Sequence, residues 1–169
     1  MLRRATVADL PAIDGLVDAA YRKYVERIGR RPAPMDADYA AMLGNANVWV
    51  LSSPAGLQGA LVTHAMGDHL FLETVAVAPG AQARGYGALL LARADQDAHE
   101  AGLDEIRLYT NVAMTENLSF YPRHGYVETG RESHDGFNRV FFAKSLGPQA
   151  NAKPPPPSAP PASRTGRQQ

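Results

Sequence analysis

The chain has 169 residues, the length of one domain, and carries 17 Lys and Arg against 17 Asp and Glu, so no basic excess exists to neutralise a nucleic-acid backbone. Cysteine is absent, which excludes a disulfide framework, a thiolate zinc site and a cysteine nucleophile together. The five histidines form no H-x-x-x-H pair, and no metal is expected.

Arg3 and Arg4 are followed by Asp9, Pro11 and Asp14, where a signal peptide needs an uninterrupted apolar stretch. The longest apolar run, around Ala88 to Ala92, falls far short of the ~20 residues that span a bilayer. A soluble cytoplasmic protein with no membrane partner is the expectation.

Leu2 to Ala5 reads as a short strand, and Thr6 with Asp9 three residues on resembles a helix N-cap. Leu10, Ile13, Val17, Ala20, Tyr21 and Tyr24 recur at helical steps, with Gly29 placed as the C-terminal cap. Arg30 to Met35 holds two prolines and reads as a loop. Asp36 to Leu43 reads as a second short helix, capped by Asp36 and stopped by Gly44.

From Asn47 the period becomes that of strands. Val48 to Ser52, Leu57 to His64 and His69 to Val77, separated by turns at Ser53 to Gly56 and near Gly67-Asp68, predict an antiparallel meander. Gly85 to Ala101 has high helix propensity and ends at Gly102, although Leu89, Ala92, Arg93, Gln96 and His99 define no clean stripe. A strand over Glu105 to Tyr109, a helix over Thr115 to His124, and a hairpin of Tyr126 to Ser133 with Phe137 to Ser145 around Asp135-Gly136 complete the body. Interleaved strands and helices predict an α/β fold on a mixed sheet.

Chemistry concentrates between Leu72 and Leu90, where an apolar strand ends at Pro79 and a glycine turn feeds a helix. Unpaired N–H groups at a helix start carry partial positive charge, so this order of elements makes a pyrophosphate site. A dinucleotide G-x-G-x-x-G fails because position 90 is Leu90, and a Walker A loop fails for want of G-K-[ST]. What remains is Val77, Pro79, Gln82, Gly85 and Gly87, spaced V-x-P-x-x-Q-x-x-G-x-G, which resembles the acetyl-CoA motif of the GNAT acyltransferase superfamily. The stretch Thr110 to Tyr126, with Asn117, Phe120-Tyr121 and Gly125-Tyr126, is similar to the family's N...FYxxxGF helix. The alternative for the first block is a tight strand-to-helix turn with no ligand.

The resemblance implies the GNAT-type acyl-CoA N-acyltransferase fold over residues 1–147, a mixed, mostly antiparallel central sheet flanked by helices. It implies acetyl-CoA as cosubstrate, an amine acceptor and direct transfer to a primary amine; with cysteine absent, no covalent enzyme intermediate is expected. The backbone of Val75, Ala76 and Val77 would pair with the pantetheine arm. Gln82, Ala83, Arg84, Gly85, Tyr86, Gly87 and Ala88 would surround the pyrophosphate. Asn117 and Tyr121 would face the thioester, with the Tyr121 hydroxyl near the sulfur. Many family members place the pantetheine Asn seven residues before this Tyr, where the chain has Met114, leaving Asn111 or Asn117 to substitute.

Glu73 is the candidate base. On a period-two strand it shares a face with Val75 and Val77 unless a bulge intervenes; the alternative is a solvent-facing or salt-bridged carboxylate. Tyr121 has a core packing role as its alternative, and His134 and Asp135 read as a solvated hairpin tip. The acceptor is expected to be read by the irregular segments Arg27 to Tyr39 and Arg131 to Arg139.

Residues 148–169 hold seven of the 13 prolines and neither aromatics nor Leu, Ile or Val, and are expected to be a disordered Pro-rich tail. They contain three bases and no acid, so the body has 17 minus 3, or 14, bases against 17 acids. That balance favours a cationic small-molecule amine over an acidic acceptor. Two other readings stay open: a non-catalytic acyl-CoA sensor, and a protein acetyltransferase or adaptor recruited through the tail. A homodimer is also left open.

Overall fold

A computed structural model describes residues 1–147, and the tail read from composition, residues 148–169, lies outside the described residues. Seven strands form one sheet: β1 (Leu2–Arg4), β2 (Asn47–Ser53), β3 (Gly56–Ala65), β4 (Leu70–Val77), β5 (Glu105–Asn111), β6 (Val127–His134) and β7 (Phe137–Ser145). Their spatial order is β1-β2-β3-β4-β5-β7-β6, antiparallel throughout except for the parallel β4–β5 pair. Four helices flank the sheet: α1 (Leu10–Ile28), α2 (Tyr39–Asn45), α3 (Tyr86–Glu100) and α4 (Thr115–Phe120). Among the described residues no helix is long and apolar enough to cross a membrane.

The helix α1 starts from a 3-10 turn over Val7–Asp9. There the Asp9 carboxylate accepts the Thr6 N–H at 2.8 Å and both arms of the Arg3 guanidinium at 2.8 Å. Gly29 ends the helix in the left-handed conformation, φ 84°. Ile13, Leu16, Val17 and Ala20 pack on Val48, Val50, Ala60, Val62 and Ala76 of one sheet face. On the other face, Leu90, Leu91, Ala94 and Ala98 of α3 cover Leu61, Leu70, Leu72, Ile106 and Leu108.

Three local readings are corrected. The helix after Pro34 starts at Tyr39 with Asp38 as its cap, because Ala33–Asp36 is a 3-10 turn, and Gly44 lies inside it. The helix expected to run to His124 ends at Phe120. Pro122 cannot donate an N–H to the helix, so the chain tightens into a 3-10 turn over Pro122–His124. The α3 helix does have an inward stripe, Leu90, Leu91, Ala94, Asp97 and Ala98, and it includes the buried Asp97 carboxylate. That carboxylate is held by Thr63 (2.6 Å), Trp49 (3.0 Å) and Arg93 (2.8 Å), which offsets its burial.

Candidate active site

The strands β4 and β5 pair only at Leu70 with Ile106 and Phe71 with Arg107. Beyond these residues they separate and leave a gap in the sheet. The Ala78 N–H donates to the Gln58 carbonyl on β3 at 2.9 Å. By alternation along the strand, Thr74 and Ala76 also bond to β3, while Val75 and Val77 turn their N–H groups into the gap. The Val75 carbonyl is already taken by the Tyr21 hydroxyl at 3.1 Å, a contact that the sequence pattern did not suggest.

After β4 the chain makes a 3-10 turn over Pro79–Ala81, and Ala83 (φ 64°) and Gly85 (φ 82°) adopt left-handed conformations before α3 begins. Tyr86, Gly87 and Ala88 occupy the first turn of α3, where N–H groups have no intrahelical acceptor. The two glycines differ in what they allow. Gly85 supplies the left-handed cap with open space about its Cα, whereas a Cβ on Gly87 would sit 2.9 Å from Phe120 Cζ. The missing side chain of Gly87 makes room for an aromatic ring.

A groove here is lined by Val75, Ala76 and Val77, by Gln82, Ala83, Tyr86 and Gly87, and by Asn117 and Tyr121. Arg84, Gly85 and Ala88, singled out with them, do not line it. Lys23, Tyr24 and Arg123 do; nothing in the local sequence marks them, because α1 and the 3-10 turn after α4 reach the groove only in the folded chain. The Asn117 amide donates to Thr110 Oγ1 at 3.0 Å, tying α4 to β5. Asn111 instead accepts the Ala113 N–H in its own turn and does not line the groove.

Tyr121 is 6% exposed, and burial pushes its phenol well above the usual tyrosine range. Its ring packs against Phe120, Tyr126 and Phe142. The hydroxyl makes no hydrogen bond to a described residue.

Glu73 is placed by a bulge. Val62 pairs with Thr74 and Thr63 with Leu72, so Glu73 is the extra residue of β4. The bulge exchanges the faces of the strand: Leu72 packs toward α3 before it, whereas Ala76 packs toward α1 after it. Glu73 therefore does not share a face with Val75 and Val77. It is bonded to His64 Nε2 at 2.7 Å, with side chains 31% and 24% exposed respectively.

A cavity of about 110 Å³ opens on this side, reached by Glu73, Thr74, Tyr109, Phe137 and Arg139. The two segments expected to flank the cleft meet over it, although the second is a regular hairpin of β6 and β7 rather than an irregular loop. Pro32, Ala33 and Pro34 line it from one and Phe137 from the other. Arg30 ties them together by stacking on Phe137, 3.5 Å from the ring centroid, and by donating to the Asp135 carbonyl. His134 and Asp135 stay at the exposed tip, paired with each other at 3.1 Å. Tyr21, Val75, Asn117 and Tyr121 line both the groove and the cavity, so the two meet at the gap between β4 and β5.

No curated protein matches the chain in sequence. Solved structures match its fold. The ribosomal-protein-S18-alanine N-acetyltransferase from Escherichia coli superposes with a TM-score of 0.71 at 16% identity, over 89% of this chain and 96% of its own. The PaiA N-acetyltransferase from Thermoplasma acidophilum, in complex with coenzyme A, gives 0.68 at 16% identity over 86% and 98%. Nourseothricin acetyltransferase gives 0.68 at 20% identity over 87% and 98%. The sequence profile of the Acetyltransferase (GNAT) domain matches residues 44–128, from the end of α2 into β6, and includes every groove-lining residue except those of α1. The chain belongs to the GNAT acetyltransferase family.

Proposed function

We propose that the protein transfers the acetyl group of acetyl-CoA directly to the primary amine of a small molecule, with both substrates bound together. The observation that carries this reading is the meeting of groove and cavity at Val75, Asn117 and Tyr121. A thioester lying in the groove and an amine in the cavity would be adjacent there. The free N–H groups of Val75 and Val77 suit a pantetheine arm laid along the open edge of β4, and those of Tyr86, Gly87 and Ala88 suit a pyrophosphate. Arg123 adds positive charge to the groove wall, where Lys23 is balanced by Glu116 at 4.0 Å.

When bound, acetyl-CoA supplies an activated carbonyl and a thiolate leaving group. The amine nitrogen attacks the carbonyl carbon, forming the C–N bond as the C–S bond breaks. The nitrogen becomes acidic as it acquires positive charge, and Glu73 with His64 accepts the proton it sheds, directly or through a water. The developing negative charge on the acyl oxygen needs fixed donors, and the backbone N–H groups at the gap provide them.

Tyr121 acts at the sulfur. A thiol titrates near 8.5 and a tyrosine near 10, and burial raises Tyr121 further. Complete proton transfer from Tyr121 to the departing thiolate is therefore uphill. Its hydroxyl, always protonated, stabilises the sulfur as a hydrogen-bond donor, and solvent delivers the proton afterwards.

Initial velocities measured against both substrates test this reading. Transfer within a ternary complex gives intersecting double-reciprocal lines, whereas parallel lines would require an acetylated enzyme. The fold does not choose among acceptors, since one structural neighbour is named for a ribosomal protein and another for nourseothricin.

A further inference from the structure

The β4–β5 cavity has two ionic side chains of opposite sign. Among the described residues lining it, Glu73 is the only acid and Arg139 the only base. Arg27, Arg31, Arg93 and Arg107 each hold a carboxylate elsewhere in the fold. Arg139 holds none. Its guanidinium lies 4.5 Å from the centroid of the Tyr109 ring, and it makes no hydrogen bond or ion pair with a described residue. Glu132 and Asn111 stand opposite it in the β6–β7 and β5–β7 registers, yet neither bonds to it. Stacking fixes the plane of a guanidinium and leaves its N–H fork unspent, ready for a planar anion.

We infer that Arg139 forms a carboxylate subsite, so that the acceptor is a small amino carboxylate with its amine toward Glu73 and its carboxylate on Arg139. This rests on the acetyl-transfer reading of the site and refines it. A carboxylate matches the single cation present, whereas a phosphate dianion would leave a negative charge uncompensated in a half-buried cavity. The modest cavity volume, about 110 Å³, suits a small molecule. Overall charge points the other way, the body having 14 bases against 17 acids, but charges beyond a Debye length of ~8 Å are largely screened. The local arginine decides.

The test compares α-amino acids and linear ω-amino acids of two to six carbons with their own amides, as acceptors from labelled acetyl-CoA. At the best spacing the wild type should favour the acid over its amide by at least tenfold in kcat/KM. Arg139→Gln should collapse that ratio toward one, and Arg139→Lys should restore part of it, with melting temperatures confirming that both variants fold. Equal use of acids and amides by the wild type, or a ratio unchanged in Arg139→Gln, overturns the subsite and leaves acetyl transfer standing.

Calorimetry with the N-acetylated amino carboxylates, which needs no turnover, separates the two claims. Affinity should fall at least tenfold in Arg139→Gln. If no amine is acetylated, the transfer reading fails and this titration alone judges the subsite. Equal affinity in the two proteins, or no binding to the wild type, overturns it.

Discussion

Replacing Gly87 by Ala sets two opposed effects against each other. Alanine is the better helix former by up to about 1 kcal/mol, and α3 would gain from it. The added methyl, however, would lie 2.9 Å from Phe120 Cζ and 3.1 Å from Cε2, where carbon atoms ordinarily stay about 3.5–4.0 Å apart. The ring has little room to retreat, since its centroid is 5.2 Å from that of Tyr121 and 4.6 Å from that of His124. Overpacking of this kind costs about 1–3 kcal/mol, so the expected net is a loss of about 0–2 kcal/mol in urea denaturation. Because Phe120 also lines the groove, affinity for CoA by calorimetry should weaken. In a Phe120→Leu background the contact is gone, and the same Gly87→Ala change should become stabilising, a coupling that a double-mutant cycle reads directly. A gain of about 1 kcal/mol in the wild-type background, with CoA affinity unchanged, would refute the close contact.

Tyr121→Phe keeps the packed ring and deletes the donor, so kcat should fall roughly 10- to 100-fold with little change in stability; an unaltered kcat would leave Tyr121 a core residue. Glu73→Gln should lower turnover and change the pH–rate profile while CoA affinity holds, because Glu73 does not line the groove; an unchanged profile would reduce the His64 pair to a surface contact. The Arg3 fork, and after it the Thr6 N–H, hold the Asp9 carboxyl well below its usual range. Its contribution is therefore present above the unfolded value near 4 and lost as pH falls toward the depressed folded value. Asp9→Asn should cost about 1–2 kcal/mol at pH 7, with the gap to wild type narrowing below about pH 4; a gap independent of pH would contradict the ion pair.

Punctuating residues carried most of what was legible in the sequence. Gly29, Gly85, Gly102 and the Asp135-Gly136 pair all occupy left-handed conformations, and each marks the end or turn read from it. The V-x-P-x-x-Q-x-x-G-x-G spacing pointed to the correct family because it follows a strand and opens a helix. Errors arose where a local rule competed with a longer pattern. Pro122 outweighed the helical propensity around it, and the 3-10 turn after Pro32 delayed α2 to Tyr39.

The site itself was legible only where its residues are neighbours in sequence. Glu73 could be picked out, but not its direction, because the bulge between β3 and β4 is a property of the pairing rather than of either strand. His64 is nine residues away on the adjacent strand. Tyr21 reaches Val75 across 54 residues, and Arg139 enters the cavity because β7 lies next to β5. Periodicity within one element carries no information about such contacts.

Quantifying both products of one incubation tests the central claim most directly. The protein, labelled acetyl-CoA and a panel of primary amines that includes amino carboxylates are mixed, and free CoA thiol and acetylated amine are measured over time. Direct transfer predicts that the best acceptor yields one acetylated amine per thiol released, with Tyr121→Phe slowing both equally. Thiol released without acetylated amine, or tight CoA binding with neither product, would contradict it.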